Sequence, residues 1–148
     1  MALIGFILLC NGAGFLSSLG GHMALYGQLA LPAWAPPPLA FPIAWGMLYT
    51  LMGIGAWLVW RAPASPARRR ALGVFVVQLL VNLSWTPVFF GAESFRAGLA
   101  VIALVWLATL AMVIAYRRVS GTAAALQIPL LLWVGFATAL NAAIVVLN

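Results

Sequence analysis

Five long apolar runs, separated by short polar or proline-bearing breaks, dominate the chain: Leu3 to Leu19, Leu39 to Trp60, Ala71 to Gly91, Ala97 to Tyr116 and Ala123 to Leu147. Each is close to the roughly 20 residues needed to cross about 30 Å of hydrocarbon. None alternates strictly between apolar and polar positions. Because lipid offers backbone groups no hydrogen-bond partner, such runs predict helices and not a β-barrel. The expected fold is an all-α integral membrane protein, a bundle of five transmembrane helices in one domain over residues 1–148, with helices near 3–19, 39–60, 71–91, 97–116 and 123–147.

Inside these runs the few polar and aromatic side chains recur at helical spacing. In the third run Gln78, Asn82, Trp85 and Phe89 stand at i, i+4, i+7 and i+11, a stripe roughly 60° wide. Two amides on an apolar helix must face protein or water, since each is expensive in lipid. They form either an interhelical clasp or the polar wall of a cavity, and the two aromatics beside them favour the cavity. Pro87 frees the carbonyl of Leu83 and is expected to kink the helix. The second run places Trp45, Tyr49, Met52 and Ala56 on one face. The fifth repeats the design with Trp133, Ala137, Leu140 and Ile144, and with Asn141 at the border.

The first run carries small residues, with Gly14 and Ser18 four apart, a spacing that serves either packing within the bundle or a dimer face. It has no basic n-region and no small-residue cleavage site before a polar chain, so it reads as a first transmembrane helix and not as a signal peptide. Asn11 is expected to bond a neighbouring helix. The loop from Gly20 to Pro38 holds Tyr26 and Trp34, and the three prolines at positions 36 to 38 exclude helix and stiffen it. That suits a lid, while an aromatic belt at the membrane surface is the alternative for both rings.

Charge sets an orientation. There are seven arginines, no lysine and one acid, Glu93. Arg61, Arg68, Arg69, Arg70, Arg117 and Arg118 fall on the side of the N-terminus; Arg96, Glu93 and His22 fall on the other. The positive-inside rule puts the N-terminus and the arginine-rich loops in the cytoplasm, with the first loop and the C-terminus opposite. The arginines suit anionic lipid head groups, and no nucleic-acid partner is expected.

Much chemistry is excluded. No Asp, Glu or Lys lies within a run, which removes the carboxylates that proton- or sodium-coupled transport works through. His22 and Cys10 lack companions for a metal site, and no paired carboxylates, catalytic triad or phosphate loop occurs. What remains is a lining of aromatic rings and amides, suited to a flat, hydrophobic ligand with a few polar edges.

Three strings in order, PAWAPPPLAFPIAWGMLYTLMG, QLLVNLSWTPVFFG and IPLLLWVGFATALN, resemble the TspO/MBR family of translocator and tryptophan-rich sensory proteins over essentially the whole chain. The resemblance implies a homodimer of five-helix bundles in a membrane, here expected to be bacterial, with a pocket capped by the first loop. It implies protoporphyrin IX or haem as a ligand, not an obligatory cofactor, with sensing, transport or regulation as the role. On matching positions the resemblance implies Trp45 and Trp133 at the porphyrin pocket, Asn82, Trp85 and Phe89 in its wall and Trp34 in its lid; the loop and the helical faces read above add Tyr26, Tyr49, Gln78, Ala137 and Asn141 to the expected binding set. Degradation of porphyrin in light and oxygen, through oxidisable Trp45 and Trp133, is the only catalytic activity it suggests. The family's first loop commonly reads W-Y-x-x-L-x-K-P-x-W; here Leu25 and Leu31 stand at the first tryptophan and the lysine. The C-terminal NAAIVVLN lacks the tyrosine and arginine of the cholesterol-recognition pattern of animal members.

Overall fold

The computed structural model describes every residue from Met1 to Asn148 and contains no strand. Its helices are α1 (Ala2–Ser18), α2 (Ala40–Trp60), α3 (Pro66–Thr86), α4 (Phe95–Arg117), the short α5 (Gly121–Ala125) and α6 (Ile128–Leu147). Four helical stretches, counting α3 with the turn that extends it and α5 with α6, are long and apolar enough to span a bilayer; α1 is apolar and shorter. The chain is an all-α integral membrane bundle of about five spans.

Boundaries depart from the hydropathy reading where local chemistry overrides it. α3 begins five residues before the expected Ala71, because Ser65 caps it by accepting from the Arg68 N–H at 3.1 Å and Pro66 occupies the first turn. The three arginines are therefore helical. The last span is broken at Leu126 and Gln127, because Pro129 has no N–H for the Ala125 carbonyl and its ring crowds it. Gln127 fills the break: fully buried, its Nε2 donates to the Leu51 carbonyl at 3.2 Å and the Ala123 carbonyl at 3.4 Å.

Pro87 deforms α3 as expected, in the form of a π turn over Pro87–Gly91 closed by Ala92 N–H donating to the Pro87 carbonyl at 2.8 Å. The wider turn brings two successive rings, Phe89 and Phe90, into the interior. The carbonyl of Leu83, which loses its partner to Pro87, accepts instead from the Ser17 hydroxyl of α1 at 2.6 Å.

That bond helps set the slant of α1. At the arginine-rich end α1 lies on α2: Phe6 meets Trp60 at 6.0 Å between ring centroids, and a Cβ on Gly53 would sit 2.7 Å from the Ile7 Cα. Midway, Asn11 Nδ2 donates to Thr50 Oγ1 at 3.2 Å, the interhelical bond expected of it. At the other end α1 leans on α3, through Ser17 and through Gly20 and Gly21, whose positions crowd Pro87, Thr86 and Phe90. α1 thus crosses from one neighbour to the next and parts from the upper third of α2. The remaining helices close the bundle, α4 lying against α3 and α6, with α5 between α2 and α4.

The first loop is more ordered than a stiff extended strap. A 3₁₀ turn, Met23–Gln28, buries Tyr26 to 2% exposure, edge-on to Phe41 at 5.1 Å, with its hydroxyl donating to the Pro36 carbonyl at 2.8 Å. Burial pushes the Tyr26 pKa above its ordinary value of 10.0. Asn148 grips the loop as a strand partner would: Ala30 N–H donates to Asn148 Oδ1 at 3.1 Å, and Asn148 Nδ2 donates to the Ala30 carbonyl at 2.9 Å.

Candidate functional site

The divergence of α1 and α2 creates the principal cavity, about 820 Å³, between α1, α2 and α3 beneath the start of the first loop. The volume falls in the roughly 300–1,000 Å³ range of small-molecule sites. Its floor is aromatic. Trp45 and Tyr49 lie one turn apart on α2 with centroids 5.4 Å apart, and Trp85 and Phe90 face them from α3 and its π turn. Gly14 lets the Tyr49 ring lie directly against α1: a Cβ there would overlap it.

Polar groups in this wall are few. Trp85 is 8% exposed and its ring stacks on Phe89 at 5.0 Å. Its Nε1 donates to Asn141 Oδ1 at 3.2 Å, and Asn141 Nδ2 donates to the Phe95 carbonyl at 2.9 Å. Asn141 therefore fixes the Trp85 ring from behind, with both its oxygen and its nitrogen engaged. Asn82 differs. It lines the cavity, is only 4% exposed, and its Nδ2 has no hydrogen-bond partner in the protein. A buried amide donor left this way costs about 1–3 kcal/mol.

The structure thus divides the residues singled out from sequence. Trp45, Tyr49, Asn82 and Trp85 converge on the cavity. Gln78, one turn below Asn82, serves as a clasp, donating through Nε2 to Thr109 Oγ1 of α4 at 3.1 Å. Tyr26, Phe89, Ala137 and Asn141 surround a separate, nearly filled space of about 10 Å³ next to α6. Trp133 sits behind Phe41 at 6.1 Å, outside the principal cavity wall. Trp34 is half-exposed and rests edge-on against Phe136 at 5.6 Å. Leu25 and Leu31 are partly buried against the core, so they anchor the loop by apolar contact.

Sequence reasoning missed the share of α1 in the wall. Asn11, Phe15 and Ser18 line one side of the cavity, at i, i+4 and i+7, a stripe legible in principle but hidden in a helix whose other residues are also small or apolar. Phe41 was likewise overlooked. With Trp85 and Phe90 it lines both the principal cavity and the smaller space.

The sequence model of the TspO/MBR family matches residues 6–147. The translocator protein of Sus scrofa is 36% identical over 143 residues, spanning 93% of this chain and 85% of that protein. Protein CrtK of Rhodobacter capsulatus is 34% identical over 144 residues, 97% of this chain and 90% of the relative. The tryptophan-rich sensory protein of Cereibacter sphaeroides is 35% identical over 136 residues, 92% and 84%. With a match that runs through every helix of the bundle and relatives this similar along nearly their full length, the chain belongs to the TspO/MBR family.

Proposed function

We propose that this protein is a membrane-embedded binding protein for tetrapyrroles such as protoporphyrin IX or haem, and for flat lipophilic molecules of similar shape. The observation that carries the reading is the cavity of about 820 Å³ whose floor joins Trp45, Tyr49, Trp85 and Phe90 to the unpartnered Asn82 amide. Flat rings gain stacking and edge contacts from such a floor. The Asn82 amide, the Tyr49 hydroxyl and the Trp45 indole N–H are the polar groups available to orient them. The names of the relatives, translocator and tryptophan-rich sensory protein, fit a role in which binding is coupled to sensing or to passage across the membrane. Leu31 brings no cation to the loop, so propionates of a tetrapyrrole are expected to point out of the cavity toward the head groups, where charge is cheaply solvated.

The test is a titration of intrinsic fluorescence with protoporphyrin IX, in nanodiscs, on the wild type and on Trp45→Phe, Asn82→Leu and Trp133→Phe. Saturable quenching is expected in the wild type. Asn82→Leu should weaken binding by roughly tenfold, about 1.4 kcal/mol. Trp45→Phe should lose the largest part of the quenching, and Trp133→Phe should change the affinity least. Affinity unchanged by both Trp45→Phe and Asn82→Leu would remove the ligand from this cavity.

A further inference from the structure

The rim of the principal cavity is as informative as its floor. On α1 it is formed by Phe15 and Ser18, and opposite by Leu39, which precedes α2, and by Pro42 and Gly46 of α2. Phe15 is 65% exposed and Leu39 69% exposed, so the residues at the mouth also form the outer surface of the spans. That surface is continuous with Leu16, Ile43 and Met47, all exposed apolar side chains of membrane helices.

Two further observations give the mouth its direction. α1 and α2 touch at Ile7 and Gly53 and again at Asn11 and Thr50, while Ser17 ties the far end of α1 to α3. The gap is therefore a wedge that narrows toward the bilayer centre and widens sideways between two neighbours. No charged side chain borders it. The mouth presents nothing that would select a head group, only apolar atoms and the Ser18 hydroxyl, which donates to its own helix at Phe15.

We propose that this wedge is a lateral portal to the bilayer, and that the acyl chain of a membrane phospholipid enters through it onto the aromatic floor. An alkyl chain gains dispersion contacts from Trp45, Tyr49 and Trp85. A larger lipophilic ligand displaces the chain along the same path, so it partitions into the membrane first and enters from there. The entry route rests on the cavity being the site proposed above, but acyl-chain occupancy does not depend on tetrapyrrole recognition.

Photolabelling decides it. The full-length protein is reconstituted with phosphatidylcholine carrying a diazirine on one acyl chain, irradiated, and its adducts are mapped by mass spectrometry. Adducts are expected on the lipid-facing residues and also on Tyr49, Trp85 and Phe90, which are buried from the outer surface. Gly46→Leu places a side chain in the mouth, where a Cβ meets no atom within 4 Å. It should abolish the floor adducts and keep those on the outer face. Wild-type labelling confined to lipid-facing residues would overturn the portal, as would floor adducts that persist in Gly46→Leu. Phe15→Ala, which widens the mouth, should raise floor labelling; unchanged labelling there also overturns it. A water-soluble diazirine that marks the floor as strongly as the lipid would show that the mouth faces water. Because no tetrapyrrole is used, failure of the porphyrin titration and failure of this experiment are separate results.

Discussion

Single atoms carry much of the organisation, and Ser17 is the clearest case. A proline inside a membrane helix leaves a carbonyl that lipid cannot satisfy. Here the carbonyl belongs to Leu83, and a hydroxyl from another helix answers it at 2.6 Å. Ser17→Ala is expected to destabilise by about 1–3 kcal/mol, the cost of an orphaned buried acceptor. In a Pro87→Ala background the N–H of residue 87 is restored and the same substitution should cost less. Thermal unfolding of the four proteins in one detergent measures this coupling, and strictly additive effects would separate Ser17 from the proline. Tyr26 gives a second residue-level expectation. Its hydroxyl donates to Pro36 only when protonated, and burial raises its pKa above 10.0. The raised value means that the contribution is complete below pH 10.0 and is lost as pH rises through the higher folded value. Tyr26→Phe should therefore loosen the loop by about 1 kcal/mol at neutral pH and remove the alkaline step, both readable as protease sensitivity of the first loop.

Among elements, the packing of α1 on α2 is set by glycines whose roles differ. Gly53→Ala drives a methyl against the Ile7 backbone, which cannot yield as a side chain can, and should cost about 1–3 kcal/mol by overpacking. Gly5 and Gly12 meet nothing within 4 Å and face outward, so alanine there is expected to be neutral or slightly stabilising. That open face is what α1 can offer to the expected homodimer, since Gly14 is occupied by Tyr49 inside the bundle. If the wild type has the mass of two chains in detergent, Gly12→Leu should lower it toward one; a wild-type mass of one chain would remove the homodimer, and a two-chain mass unchanged in the variant would place the interface elsewhere. These contrasts also mark how far the chain was legible. Hydropathy identified five spans because the bilayer imposes a length, and period alone put Gln78, Asn82, Trp85 and Phe89 indoors, as they are. It could not tell Gln78 from Asn82. They lie one turn apart with the same chemistry, and only the position of Thr109 on α4 makes one a clasp and leaves the other with a free donor. Nor could it find the Ser65 cap, because counting uncharged residues marks the hydrocarbon crossing and not the helix, or the part α1 plays in the cavity, which depends on a slant fixed by Ser17.

At the scale of the whole molecule, polarity is divided between the two ends. The start of α1 meets the end of α2 near Arg61, and Asn148 after α6 meets the first loop, so the termini lie at opposite ends of the bundle. Six arginines gather at the first of these ends, where the only acid of the chain, Glu93, cannot neutralise them. Arg61 stacks on Trp57 at 4.7 Å; for the rest, lipid phosphates are the available anions, worth about 1 kcal/mol per arginine near an anionic surface and less at high salt. The same asymmetry governs insertion, because basic loops are retained on the cytoplasmic side. The arginine-rich end is therefore expected to face the cytoplasm and the mouth of the cavity the opposite leaflet. Two single-cysteine substitutions test this in intact cells with a membrane-impermeant maleimide: Gly27→Cys in the first loop and Ala64→Cys between α2 and α3, both at exposed positions. The native Cys10 is fully buried and should stay silent. Gly27→Cys should label from outside and Ala64→Cys only after permeabilisation. The reverse pattern would invert the molecule, and the portal would then draw its lipid from the cytoplasmic leaflet.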